Sequence, residues 1–315
     1  MTTPSSSVRL TDVAERAGVS LATVSRSLTG TPGVSAAVAE RVREVAASMG
    51  YVVNVHARSL AGGASTSVGL IVSNIVDPYF GEIARGVIDK AGGAGRTVQV
   101  SHAADEAALV SQLRLLRLER VGAIVLAGSG HVDPSLDAAA DAELREFVLG
   151  GGRLAVIGRH HLEADAVLPD NVAAGRTVGR HLLELGHDRV VVLAGPAELT
   201  VVADRVAGLR DVLGTRILRV DHHEFSRAGG VAGTRRLLEV RGGDASAPTA
   251  IVATNDLMAL GVLAELRSAG IDVPGRFSVV GFDDIDVAAD LSPALTTVRV
   301  PMAEIGAAAM ALLLG

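Results

Sequence analysis

Apolar residues near the start of the chain recur at helical intervals, whereas beyond about position 68 they gather into short β-branched runs separated by helical stretches. The first pattern predicts small amphipathic helices. Within 10–28 it gives two short helices joined by a tight turn at Gly18, where the backbone needs a positive φ that a Cβ would penalise. Ala14, Gly18 and Val24 fall at the spacing of a helix-turn-helix, with Ala14 small where the helices cross. Val13, Ala17, Val19, Val24 and Leu28 form its core, which leaves Leu21, Ala22, Thr23, Ser25 and Arg26 facing outward on the second helix. Thr11 is placed to cap the first helix and Ser20 the second. A third helix, capped by Ser35, runs to Gly50 with Val38, Val42, Val45 and Met49 on its inner face. Residues 51–54 read as extended and 55–61 as one or two helical turns, followed by a flexible link over 62–67.

The second pattern predicts strands at 68–72, 98–100, 123–126 and 154–157, separated by helices near 80–94, 106–118 and 137–149. It resumes with strands at 190–193, 217–220, 250–253 and 277–280 and helices near 172–185, 201–213, 227–240 and 257–269. A final helix is expected at 303–313. Strands apolar throughout and separated by helices imply parallel sheets with right-handed crossovers. Two such sets imply an α/β body of two Rossmann-like lobes.

Composition narrows this picture. Hydrophobic residues at 49% and charged residues at 20% specify a globular chain and exclude a disordered one. No apolar run is long enough to span a bilayer, and the polar N-terminus has no signal-peptide core, so a cytoplasmic protein without membrane contact is expected. The absence of cysteine rules out disulfides and thiolate metal sites. The net charge of −6 argues against a chain that coats nucleic acid everywhere, but residues 1–61 carry +2, which leaves −8 for the remainder. A basic head on an acidic body suits local phosphate contact.

The motifs along the chain resemble those of the LacI/GalR family of transcriptional regulators, from Val8 to Leu314. They are Thr23-Val24-Ser25-Arg26 in the head, Gly50-Tyr51 and Ala57-Arg58-Ser59-Leu60 in the hinge, and Asp77-Pro78-Tyr79-Phe80, Asp170-Asn171, Gly186-His187 and Asn255-Asp256 in the body. Val279-Val280-Gly281-Phe282-Asp283-Asp284 and Ser292-Pro293-Ala294-Leu295-Thr296-Thr297 complete the series. The resemblance implies a lambda-repressor-like helix-turn-helix head over 1–53, a hinge over 54–67, and a periplasmic-binding-protein-like type I body over 68–315. Its lobes would comprise roughly 68–160 plus 298–315, and 161–297. Val53 departs from the family pattern, which often has proline there, and the family pattern continues with a strand-containing segment past the position of Gly315.

The family implies a homodimer that binds a near-palindromic double-stranded operator and responds to a small-molecule effector, first of all a carbohydrate. By family position Leu21, Ala22 and Arg26 read bases, and Leu60 wedges into the minor groove. Arg9, Ser20, Thr23, Ser25, Asn54 and Arg58 are the phosphate candidates. Tyr79, Phe80, Arg205, Phe225, Asn255 and Asp283 are the effector candidates. Each has a plainer reading. Leu60 could be a packing contact, Arg205 a surface helix residue, Asp283 a loop cap, and Phe80 and Phe225 simple core. Gly158, Leu199 and Val201 occupy places where relatives carry polar contacts, for which Ser73, Asn74, Ser129 and His131 could substitute.

His160-His161 and His222-His223 read as exposed loop residues and not as metal ligands, because adjacent side chains on a strand point to opposite faces. No Gly-x-Gly-x-x-Gly follows the first body strand, no Walker loop is present, and Ala127-Gly128-Ser129-Gly130 lacks the spacing of a nucleophile elbow. A non-enzyme with no cofactor and no metal is therefore expected. Three rivals remain: a regulator with a degenerate pocket that ignores effectors, a solute-binding protein, and an α/β enzyme with an accidental helical head.

Overall fold

A computed structural model describes residues 8–51, 65–239 and 247–315, and the chain divides into one compact unit up to Ser65 and another from Thr66 to Gly315. The first contains α1 (Leu10–Ala17), α2 (Leu21–Thr29) and α3 (Ala36–Ser48). Gly18 ends α1 at φ +66°, as a turn without a Cβ allows. The start of α1 differs from expectation. The Arg9 N–H donates to Asp12 Oδ2 at 2.8 Å, so Asp12 closes the first turn and Thr11 lies inside the helix. Ser20 and Ser35 cap α2 and α3 through the Thr23 and Val38 N–H groups. Val13, Ala14, Ala17, Val24, Val42 and Ala46 are buried together.

In the second unit, one sheet has the order β2-β1-β3-β4-β5 and the other β7-β6-β8-β9, with every pairing parallel. The first contains β1 (Ser67–Val72), β2 (Thr97–His102), β3 (Ala123–Ala127), β4 (Arg153–Ile157) and β5 (Asp165–Val167). Its helices are α4 (Pro78–Gly93), α5 (Glu106–Leu118) and α6 (Ala138–Leu149). The second contains β6 (Val190–Ala194), β7 (Ile217–His222), β8 (Ala250–Ala253) and β9 (Ser278–Val280). Around it lie α7 (Asn171–Glu184), α8 (Thr200–Leu213), α9 (Arg227–Glu239) and α10 (Asp256–Ser268). The chain then returns to pack α11 (Met302–Leu312) on α4.

One boundary needs correction. β5 pairs with β4, so the passage to the second lobe comes after Val167 and not at 161. Three residues that include Asp165 and Ala166 carry no strand pattern, and only the exposed edge beside β4 makes them one.

Three helix pairs close by the same device. A Cβ on Gly208 of α8 would lie 2.1 Å from the Val172 carbonyl oxygen at the start of α7, and one on Gly175 of α7 would lie 2.3 Å from that of Arg205. The two backbones touch because neither residue has a side chain. Gly86 and Gly306 do the same for α4 and α11, as do Gly230 and Gly261 for α9 and α10. Neither α5 nor α6 contains glycine, and that pair is tied by Arg114–Glu143, Arg117–Glu143 and Arg117–Glu146 ion pairs of 2.7, 2.6 and 2.9 Å.

Candidate functional site

Parallel strands leave their carboxyl ends facing a common crevice, the usual place for a ligand in open α/β sheets. Here a cleft of about 1070 Å³ lies there, and Tyr79, Phe80, Arg205, Phe225, Asn255 and Asp283 all line it. The structure thus brings together the six effector candidates, which lie on five segments far apart in the chain. Phe80 and Phe225 satisfy both of their readings, since they are half-buried, pack on the core and still line the cleft.

Arg205 is not a surface residue. It is 2% exposed on α8, and its guanidinium donates three ways. Nε reaches Asn171 Oδ1 at 3.0 Å, Nη1 the Thr254 carbonyl at 2.6 Å, and Nη2 Asp283 Oδ1 at 2.7 Å. Its face lies 5.0 Å from the Phe282 ring centroid. Asp283 is likewise more than a loop cap. It is 5% exposed at φ +111°, and burial holds its carboxyl above the ordinary range while Arg205 pulls it down. Arg205 therefore arrives with its charge matched, which leaves it poorly placed to take a ligand carboxylate. Asn255 caps α10 by accepting the Met258 N–H at its Oδ1, so its amide nitrogen is the group left to donate.

Asp77 also lines the cleft and Asp256 is buried next to the lining Asn255, and sequence reasoning assigned neither a role. Asp77 caps α4 by accepting the Tyr79 N–H at 3.0 Å, and burial raises its carboxyl to about 6. The Asp-Pro pair signals a helix start, but not the depth at which it lies. Asp256, fully buried and raised to about 7 by that burial, accepts from Thr297 Oγ1 at 2.7 Å and from the Ile285 N–H at 3.0 Å. It thereby fixes the turn that carries Asp283. Burial also raises the Tyr79 phenol.

The two lobes also join directly at the loop after β3. The Val132 N–H donates to the Glu198 carbonyl at 2.7 Å and the Thr200 N–H to that of Gly130 at 2.9 Å. Ser129 Oγ lies 3.0 Å from Thr200 Oγ1 and accepts the Val201 N–H, while Arg159 pairs with Asp204 at 2.7 Å. Ser73, Asn74, Ser129 and His131 line the cleft, as do Gly158, Leu199 and Val201. His131 Nδ1 is held 2.7 Å from Asp137 Oδ1. The reading of His160 as an exposed loop residue fails. Its ring is half-buried against the cleft with Nε2 3.2 Å from the Gly128 carbonyl, and burial lowers its pKa.

In the first unit, α2 presents its candidates along its length. Leu21 is 48% exposed, Ala22 and Arg26 are exposed, and Thr23 and Ser25 are half-exposed. Leu21 stands outside the buried cluster of the three helices, to which α2 contributes Val24. Ser20 and Arg9 are exposed at the amino ends of α2 and α1. Asn54, Arg58 and Leu60 lie outside the described residues. Among the described residues, no group of three or more metal-ligating side chains is gathered, and no helix is long and apolar enough to cross a membrane.

Comparison with known proteins matches both units. The profile of bacterial regulatory proteins of the lacI family covers residues 9–54, and that of a periplasmic binding protein-like domain covers 180–315. The chain is 31% identical to the HTH-type transcriptional regulator DegA of Bacillus subtilis, over 94% of this chain and 87% of that protein. It is 32% identical to the HTH-type transcriptional repressor CytR of Escherichia coli, over 96% of this chain and 88% of that one. Among solved structures, the lac repressor dimer bound to operator and the anti-inducer ONPF superposes with a TM-score of 0.84 at 27% identity, over 98% of this chain and 92% of that one.

Proposed function

The chain belongs to the LacI family of DNA-binding transcriptional regulators, and from that premise we propose that it is a repressor that binds a near-palindromic operator as a homodimer and is switched by a sugar or related metabolite in the cleft. The observation that most supports the DNA half is the exposure along α2 of Leu21 and Ala22 in its first turn and Arg26 in its last. In a major groove the first two supply only apolar contact, chiefly to thymine methyl groups, and Arg26 supplies the bidentate pair to guanine. Arg9, Ser20, Thr23 and Ser25 fix the register on phosphates, with Asn54 and Arg58 adding contacts from the hinge and Leu60 wedging into the minor groove.

The cleft supports the regulatory half. Its wall is assembled from both lobes, and the bonds from 129–132 to 198–201 hold one lobe angle. A ligand that prefers another angle must break those bonds, and one that prefers this angle reinforces them. Either preference shifts the population of the DNA-competent state.

The test is a binding-site selection with the purified chain. Wild type is expected to enrich a two-fold symmetric site. Arg26→Ala is expected to relax one position in each half-site, with a loss of about 1–3 kcal/mol of discrimination there. An unchanged consensus from the variant would contradict the assignment of Arg26.

A further inference from the structure

Ten carboxylates line the cleft, against two arginines and no lysine, whereas the chain as a whole carries 35 acidic and 29 basic residues. Both lining arginines are already matched, Arg205 by Asp283 and Arg159 by Asp204, each at 2.7 Å. Of the three lining histidines, His131 is held by Asp137, His160 has its pKa lowered by burial, and His102 stands exposed at the end of β2. A cleft lined by one sign of charge concentrates ions of the other sign, so this one favours cations.

Asp77 gives that field a definite seat. The residue is 7% exposed, and its Oδ1 is spent on the Tyr79 N–H that it caps. Its Oδ2 accepts no hydrogen bond among the described residues, yet it is not sealed inside the protein, so it opens on the cleft that Asp77 lines. The charges that act on it are Asp283 and Arg205. One guanidinium thus faces two carboxylates, and it donates to Asp283 and not to Asp77. The floor of the cleft is left one negative charge in excess. A neutral sugar laid over Asp77 would strip its water and leave that charge unmatched, since a hydroxyl donates a hydrogen bond but brings no charge. A carboxylate or phosphate would add a like charge. An ammonium group supplies both the charge and up to three donors.

We propose that the effector is a cation, a polyhydroxylated primary amine such as an amino sugar with its nitrogen unacylated, whose ammonium group sits against Asp77 Oδ2. This assignment rests on the effector reading of the cleft. It also accounts for the matched charge of Arg205, since a cationic ligand asks for a free carboxylate and not for a free guanidinium. The hydroxyls then fall to groups such as the Asn255 amide nitrogen, which is left to donate.

The test is calorimetric titration of the full chain at about pH 7, where Asp77 is ionised and an alkylamine is protonated. The probes are glucosamine, galactosamine and mannosamine, their parent hexoses, N-acetyl derivatives and matching uronates, and 1,4-diaminobutane as a cation without a sugar. For the accepted ring, the free amine is expected to bind at least about tenfold tighter than the parent sugar and the N-acetyl form, and the uronate more weakly than the parent. Asp77→Asn keeps a capping side chain on α4 and removes the charge, so the ratio of amine to parent affinity should fall to about one. Asp77→Ser, also a capping residue, should do the same if Asp77→Asn folds poorly. Equal affinity of amine and parent, a uronate that binds tighter than the amine, or a preference that survives both substitutions would overturn the proposal and leave the effector reading of the cleft standing. If no sugar binds, the diamine separates the two ideas. Binding that Asp77→Asn abolishes supports the cation seat while the sugar reading fails, and no binding overturns the seat itself.

Discussion

Arg205→Met is expected to destabilise the second unit by about 3–5 kcal/mol, the cost of leaving a buried charge without its partner. Methionine keeps much of the volume but removes all three donations, to Asn171, Thr254 and Asp283. The loss should depend on pH with a definite sign. Asp283 is already raised by burial, and without Arg205 it rises further above its unfolded value. A carboxyl whose folded pKa is raised contributes stability at low pH, and that contribution is lost as pH rises through the folded value. The variant should therefore be closer to wild type at pH 5 than at pH 8 in urea unfolding followed by circular dichroism. Adding Asp283→Asn removes the stranded charge and should recover part of the stability and flatten the pH dependence. A loss below about 1 kcal/mol would mean that the guanidinium is not the hub of the cleft floor.

The second large effect concerns a methyl group. Gly208→Ala would place a Cβ 2.1 Å from the Val172 carbonyl oxygen and 2.9 Å from the Arg176 nitrogen, both backbone atoms that cannot rotate away. The helices α7 and α8 must then separate, which loosens Val178, Leu182, Leu209 and Leu213. Overpacking of this kind costs typically about 1–3 kcal/mol, against a gain of about 1 kcal/mol from replacing a helical glycine. The expected net is a loss of up to about 2 kcal/mol. Gly81→Ala on α4 is the control, because its Cβ meets nothing within 4 Å. That substitution should be neutral or stabilising by up to about 1 kcal/mol. Opposite signs for the two changes would establish the helix contact as the cause, and equal signs would refute it. Arg205 lies one turn before Gly208, so a shift of α8 also moves the guanidinium away from Asp283.

The alternation of strand and helix was readable because strands buried on both faces are continuous runs such as Val190–Ala194, bounded by polar turns. β5 was not, because three residues on a sheet edge carry no pattern of their own. The six cleft candidates came from family position, and proximity among residues 79 to 283 is a property of the topology that no local pattern records. Asp77 and Asp256 each read only as part of a motif, and neither suggested a buried carboxyl. His160 looked like a loop residue because sequence does not show that the chain after β4 folds back over Gly128.

The central claim is that one chain couples a DNA-reading helix to a ligand cleft, and reciprocity tests it most directly. Operator recovered by selection is titrated with the full chain by fluorescence anisotropy, with and without the ligand that most raises its melting temperature. The same ligand is then titrated into the chain with and without operator. The account predicts that ligand changes operator affinity by at least about fivefold, and that operator changes ligand affinity by the same factor. A ligand that binds tightly while operator affinity stays constant would contradict it.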